Sequence, residues 1–256
     1  MTTDIAKAFT DARLNAGGLP DYPGALPTTL DEAYAIQDAA IDMWPHSIGG
    51  WKIGGIGGDY TEQFGEVKMA GPVFDNQIYY SDNEVVKMPV FKEGFAAIEP
   101  EIVFIMADDV PADKTEWSED EALSYIGAIH IGVEIASSPF PAINDMGPLV
   151  TISDFGNNNG LIIGPELPNW RESILQDWVV ETIIDGESVG VTSPPGPMES
   201  FLFVLQNTSL RGRPIKKGMA ITTGAITGVH QAFSGQSSII HCSKVDDIKL
   251  ELIPAT

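Results

Sequence analysis

Apolar positions recur at two different periods along this chain, and the change falls near residue 50. Before it, residues 4–16 and 30–44 show the spacing of amphipathic helices. The first run ends at Gly17-Gly18, and the proline- and glycine-rich segment 19–28 reads as a loop. Thr29 precedes Glu32 by three residues, the spacing of a capping box, and the helix LDEAYAIQDAAIDMW follows with Leu30, Tyr34, Ala40, Ile41 and Trp44 near one stripe. Beyond residue 50 come short β-rich runs punctuated by Gly, Pro, Asn and Asp, among them WKIG, AAIEPEIVFIM, IGAIHIGVEIA, GLIIG, WVVETIIDG and DIKLELI. Helices interrupt at 118–126 and 198–210, and Asp185-Gly186 has the chemistry of a hairpin turn. No regular alternation of strand and helix emerges, which disfavours a doubly wound parallel sheet. The expected fold class is α+β, dominated by mixed or antiparallel sheet. Residues 1–48 form a helical N-terminal segment and 49–256 a β-rich domain, the whole being one integrated unit, as suits 256 residues without internal repeats.

Charge narrows the function classes. The formal net charge of −22 opposes binding to nucleic acid and to anionic membranes. An anionic substrate therefore needs local positive charge, from a metal or from one of the 14 lysines and arginines. There is no apolar run of the ~18 residues that span a membrane. The first residues, MTTDIAKAFTDARLNAGG, lack the basic start and apolar core of a secretory signal, so a cytoplasmic protein is expected. Cys242 is the only cysteine, which excludes an internal disulfide and a cysteine-rich metal site. It reads as a buried structural thiol rather than a nucleophile, because its neighbour His241 points to the opposite face of a strand.

The stretch GGWKIGGIGG, residues 49–58, invites comparison with phosphate-binding loops, and it fails both patterns. Lys52 is followed by Ile53 where a P-loop needs Ser or Thr, and Gly55-Ile56-Gly57-Gly58-Asp59-Tyr60 breaks the dinucleotide fingerprint at its last position.

Carboxylates give the stronger signal. In the strand Ala97–Phe104, Glu99 and Glu101 point to the same face, roughly 7 Å apart at the backbone, and Val103 and Ile105 follow on that face. Either the pair sits at a solvated strand end, or it converges on an apolar interior where a divalent cation compensates the repulsion. A third glutamate, Glu134, shares a strand face with His130 and Gly132, opposite Ile131, Val133 and Ile135. Three glutamates from two strands make an all-oxygen site suited to Mg²⁺ or Mn²⁺. His130 is a further candidate ligand, weighed against a core histidine. Two polar patches complete the set. Thr151–Gly160, containing Asp154 and Asn158, is either an ordinary turn or a substrate-facing loop. Ile221–Gly228, containing Thr223 and Gly224, offers backbone N–H groups and hydroxyls to a carboxylate.

In order along the chain stand Tyr34-Ala35-Ile36-Gln37, Gly50-Trp51-Lys52-Ile53-Gly54, Gly71-Pro72-Val73-Phe74, Glu99-Pro100-Glu101, Val133-Glu134-Ile135, Ile152-Ser153-Asp154 and Thr222-Thr223-Gly224. This series resembles the fumarylacetoacetate hydrolase superfamily over about residues 28–253, in the branch of the 2-keto-4-pentenoate hydratases and 4-oxalocrotonate decarboxylases. The resemblance implies a mixed β-roll of that superfamily's C-terminal type, with a helical N-terminal segment. It implies Mg²⁺ or Mn²⁺ held by Glu99, Glu101 and Glu134. The implied substrate is a small anionic 2-oxo or 2-hydroxy-dienoic acid, whose carboxylate and C2 oxygen chelate the metal. It also implies Lys52 as acid–base residue, Asp154 orienting a water or Lys52, Asn158, Thr223 and Gly224 on the substrate, and assembly into a homo-oligomer.

The chain departs from the hydratase pattern at several points. Asn76 stands where that branch carries an aspartate, leaving Asp75 as the neighbouring carboxylate, and Pro195-Gly196-Pro197 replaces Gly-His-Pro. The expected activity is a metal-dependent hydratase. The alternatives are a 2-oxo acid decarboxylase, a C–C bond hydrolase of the same superfamily, and a non-catalytic metabolite-binding relative.

Overall fold

The computed structural model describes residues 2–172 and 175–256. Helices α1 (Thr2–Leu14) and α2 (Leu30–Met43) come first. Then follow β1 (Ile48–Gly55), α3 (Asp59–Phe64), β2 (Lys68–Phe74), β3 (Ile78–Tyr80), β4 (Val85–Val90) and the long β5 (Phe95–Met106). After α4 (Glu119–Leu123) come β6 (Ile126–Ser138), α5 (Pro148–Ser153) and β7 (Asn158–Glu166). The chain ends with β8 (Val180–Ile184), β9 (Glu187–Thr192), α6 (Met198–Leu210), β10 (Ala220–Thr222), β11 (His230–Gln231), β12 (Ser237–Cys242) and β13 (Ile248–Pro254).

The strands form two mixed sheets. The larger has the order β2-β1-β10-β5-β6-β7-β3, with β11 also on β5; β1 with β10 and β3 with β7 run parallel, the other pairs antiparallel. The smaller has the order β4-β13-β12-β8-β9, with one parallel pair, β4 with β13. The expected α+β class, mixed roll and helical N-terminal segment are all present. Asp185 and Gly186, at φ 49° and 84°, close the β8–β9 hairpin as the turn chemistry predicts.

Alternation along β5 and β6 gives the large sheet two different faces. Ile98, Ile102, Phe104, Ile131, Val133 and Ile135 enter the main core, where Phe104 meets Phe201 of α6 edge-on at 5.2 Å. On the other face Val103, Leu161, Ile163, Ala220 and Val73 form a second apolar cluster. Because Val73 lies on β2 and Leu161 on β7, that cluster curls the sheet and brings β2 towards the segment before β7. The approach is close at Gly71, where a Cβ atom would lie 2.2 Å from the Phe155 carbonyl oxygen.

The helix boundaries show where local pattern and tertiary structure part. α6 matches its expected span. The helix expected at 118–126 ends at Leu123, because Ile126 already pairs with β5, though Ser118 and Glu121 form a complete capping box. At α2 the Thr29 side chain accepts from Glu32 N–H, but the Glu32 carboxylate reaches one residue further back, to Thr28. Its buried face is Ala33, Ile36, Gln37, Ala40 and Ile41, rather than a stripe through Leu30 and Tyr34. Gln37 belongs there because its amide donates to the carbonyls of Ala70 and Ile152.

Gly71→Ala should lower stability by about 1–3 kcal/mol through overpacking against Phe155, read as a fall of several degrees in the thermal unfolding midpoint by circular dichroism. An unchanged midpoint would mean that β2 does not approach this segment so closely.

Candidate metal centre and active site

Register delivers the acidic cluster. Glu99 of β5 lies directly opposite Glu134 of β6, and Glu101 opposite Gly132, so all three carboxylates share the inner face with Val103. One carboxylate oxygen from each lies within 4.8 Å of the others. Glu101 and Glu134 are fully buried, and Glu99 is 7% exposed.

Three sources of positive potential surround them. β1 carries Lys52, itself 3% exposed, with Nζ 3.3 Å from Glu134 Oε1. Beyond β10 the chain turns beside β5, and the backbone N–H groups of Thr223 and Gly224 donate to Glu101 Oε2 at 2.8 and 2.6 Å. Asn158, at the start of β7, donates its side-chain amide to Glu134 Oε1 at 3.0 Å. These partners leave Glu101 Oε1 and Glu134 Oε2 buried without any hydrogen bond. Two unpartnered carboxylate oxygens beside a third carboxylate are a donor set for a hard divalent cation, so the residues present fit the expected metal.

Titration follows the same forces. Burial, then the Glu134 charge, pushes Glu99 up to about 7, with Lys52 opposing. Burial and the charges of Glu134 and Glu99 hold Glu101 well above the carboxylate range. Burial alone would lower Lys52, but Glu134, Glu99 and Glu101 together outweigh it and hold the ammonium above its ordinary value.

A cleft of about 660 Å³ opens above this floor. Lys52, Glu99, Thr223 and Gly224 reach its wall from the sheet, and Tyr60, Asn144, Thr151 and Asn157 line it from the helical side. Lys68 adds a second ammonium on the outer wall, 3.4 Å from Glu199 Oε2. Seven of the ten residues of the glycine-rich stretch belong to strand β1, and Gly54, Gly55 and Gly57 form one lip of the cleft.

Other sequence candidates lie elsewhere. Asp75 and Asn76 occupy an exposed turn after β2. They are four or five residues beyond Gly71, the partner of Lys52, or roughly 13 Å or more along the strand. Asp154 is buried, but Arg13 and Ser138 take up its carboxylate. His130 bonds through Nδ1 to the Gly164 carbonyl at 2.8 Å and is outside the acidic cluster. Cys242 is buried in the smaller sheet, its thiol pushed up to about 12 by burial, while His241 pairs on the surface with Asp247.

The residue that the sequence reading missed is Arg13. It lies on α1 four residues after Phe9, on the stripe of Ile5, Ala6 and Phe9, and is 6% exposed. An arginine at a core position of an amphipathic helix was the available signal.

No protein-family model matches the chain. Among curated proteins it is 29% identical over 159 residues to a threonine–tRNA ligase of Lawsonia intracellularis, covering 60% of this chain and 23% of that protein. With a threonine–tRNA ligase of Bordetella petrii it shares 27% over 174 residues, or 62% and 25% of the two chains. The chain thus spans about a quarter of the length of the curated relatives it matches. Its fold is that of 4-oxalocrotonate decarboxylase from Pseudomonas putida G7, solved with magnesium and adipate. That comparison has a TM-score of 0.80, 20% identity, and coverage of 98% of this chain and 97% of the other. Fumarylpyruvate hydrolase from Pseudomonas aeruginosa, solved with Mn²⁺ and pyruvate, superposes with TM-score 0.57 and 12% identity over 80% of this chain and 89% of that one. Fumarylacetoacetate hydrolase from Exiguobacterium antarcticum gives TM-score 0.58 and 13% identity over 83% and 77%.

The buried carboxylates make stability depend on pH and metal. Glu99 rises from an ordinary 4.5 to about 7 on folding. Its stabilising contribution is therefore complete below 4.5 and is lost as pH rises through 7. Metal-free protein should melt lower at pH 8 than at pH 5, the drop should be smaller in Glu99→Gln, and Mn²⁺ should raise the midpoint most at pH 8. An equal drop in Glu99→Gln would remove Glu99 as its source.

Proposed function

We propose that this chain, which has the fold of the fumarylacetoacetate hydrolase superfamily, is a divalent-metal-dependent lyase acting on a small 2-oxo acid. Mg²⁺ or Mn²⁺ is the cofactor, held by Glu99, Glu101 and Glu134. The observation that carries the reading is the pair of unpartnered buried oxygens, Glu101 Oε1 and Glu134 Oε2, on two carboxylates that converge with Glu99, which lines the cleft. A cation held there would supply Lewis-acid polarisation to a 2-oxo acid.

The chain's own residues supply the rest. Thr223 and Gly224 N–H groups orient Glu101, and Asn158 orients Glu134. Lys52 brings a positive charge to the same end of the cleft, where it neutralises the charge that develops on the enolate and returns a proton to carbon. With Lys68 it also accounts for an anionic substrate entering a chain of net charge −22.

Loss of CO₂ is the reaction favoured. The carbon–carbon bond to the departing carboxylate breaks, its electrons pass into the conjugated 2-oxo chain, and a proton restores the carbon. That sequence asks for one electron sink, the 2-oxo group that a cation held by Glu99, Glu101 and Glu134 would polarise, and one proton donor, Lys52. The full-length likeness to a 4-oxalocrotonate decarboxylase supports it. Hydration is the second reading, since it shares the enolate and differs in delivering water to C4. Asn76 and Asp75 bear on neither reaction from their exposed turn, and Asp154 contributes through Arg13 rather than by contact with substrate. A homo-oligomer is part of the same proposal. Threonyl transfer is not, because a net charge of −22 opposes binding of a polyanionic tRNA.

Purified protein with Mg²⁺ should release CO₂ from a 2-oxo-enedioate, followed by loss of substrate absorbance and product analysis. Lys52→Met should lower kcat by about 10²–10⁴-fold while Mn²⁺ binding persists. Hydrated product without CO₂ would select the second reading. Full turnover in Lys52→Met would end the catalytic assignment of Lys52.

A further inference from the structure

Arg13 makes more buried polar contacts than any single interaction in the cleft requires, and they converge on one loop. Its Nε donates to Asp154 Oδ1 at 2.5 Å and one terminal nitrogen to Asp154 Oδ2 at 2.9 Å. The same nitrogen donates to the Ser137 carbonyl at 3.0 Å, next to Ser138, whose hydroxyl also holds Asp154. The other terminal nitrogen donates to the backbone carbonyl of Asn158 at 2.9 Å and to Asn159 Oδ1 at 3.1 Å. All five N–H groups of the guanidinium are therefore engaged. Phe155 and Phe91 face the guanidinium with ring centroids at 5.1 and 5.6 Å.

The clamped loop does not hold its shape by local preference. Phe155, Gly156 and Asn157 are three consecutive residues at φ 53°, 64° and 65°, and two of them are not glycine. Left-handed backbone of this kind persists where the surroundings over-determine it. Asn158, which follows the loop as the first residue of β7, donates its side-chain amide to Glu134 Oε1. A chain of direct contacts thus runs from α1 through Arg13 to Asn158 and Glu134.

We infer that Arg13 is a positioning residue for the metal cage: by clamping residues 154–159 it aims Asn158 at Glu134, so that the N-terminal helix sets the affinity for the divalent cation. This rests on the proposed metal site. It goes further in assigning cage geometry to a helix that lines no part of the cleft. Lysine cannot replace the fork, since it lacks planar, divergent donors.

The experiment is Mn²⁺ titration by electron paramagnetic resonance at fixed pH, on the full chain, with thermal unfolding measured in parallel. Arg13→Lys keeps a cation beside Asp154, and the double variant Arg13→Met/Asp154→Asn leaves no unpaired buried charge. Each should bind Mn²⁺ about 10–100-fold more weakly, the effect of losing a group that orients a metal ligand. In an Asn158→Ala background the same changes at Arg13 should have little further effect on Mn²⁺ affinity. A lower unfolding midpoint with unchanged affinity would reduce Arg13 to a structural ion pair and overturn the inference. Additive losses in the Asn158→Ala background would overturn the route through Asn158. Absence of Mn²⁺ binding by the unaltered protein would instead remove the metal site, and the inference with it.

Discussion

Three carboxylates converging on one buried point is the constraint that the rest of this structure answers. All three are buried on the inner face of the large sheet, and Glu134 raises the cost of ionising both Glu99 and Glu101. The protein opposes this with one ammonium, two backbone N–H groups and one side-chain amide. That compensation is incomplete by two oxygens. A cluster of this kind is stable when a cation supplies the missing charge and the missing ligand directions.

Strand pairing and loop clamping divide the work of holding it. The β5–β6 register fixes Glu99 against Glu134, and β10 positions the chain so that Thr223 and Gly224 meet Glu101. Curling of the sheet around Val73, Val103 and Leu161 brings β2, and with it the neighbourhood of Lys52, against the loop before β7. That loop is tied to the N-terminal helix by Arg13. The helical segment and the roll meet at the loop whose Asn158 donates to Glu134.

Much of the centre was legible because strand alternation is a short-range rule. Glu-x-Glu in an apolar strand places two carboxylates on one face whatever the fold, and Glu134 stood out as the lone acid in another apolar strand. Lys52 was different: its loop looked like open glycine backbone, and only resemblance gave it a role. The polar run 151–160, open between a turn and a substrate-facing loop, lines the cleft with Thr151, Gly156 and Asn157. It begins as the end of a helix and finishes as a buried strand, because Ser153, Asp154 and Asn158 find partners in Tyr22, Arg13 and Glu134 that no local pattern announces. Asp75 and Asn76 were candidates only through the resemblance, and the direction of β2 carries them to an exposed turn. Arg13 went unread although its i+4 relation to Phe9 put it on the buried stripe. A charged residue there has meaning only once its partner, 141 residues away, is known.

Anomalous diffraction from crystals soaked in Mn²⁺ addresses the central claim most directly. The expected result is one strong peak per chain among Glu99, Glu101 and Glu134, with Glu101 Oε1 and Glu134 Oε2 at about 2.0–2.3 Å, the range of hard-cation oxygen ligands. A map with no peak there, and Glu101 and Glu134 unmoved at full Mn²⁺ occupancy elsewhere, would contradict it.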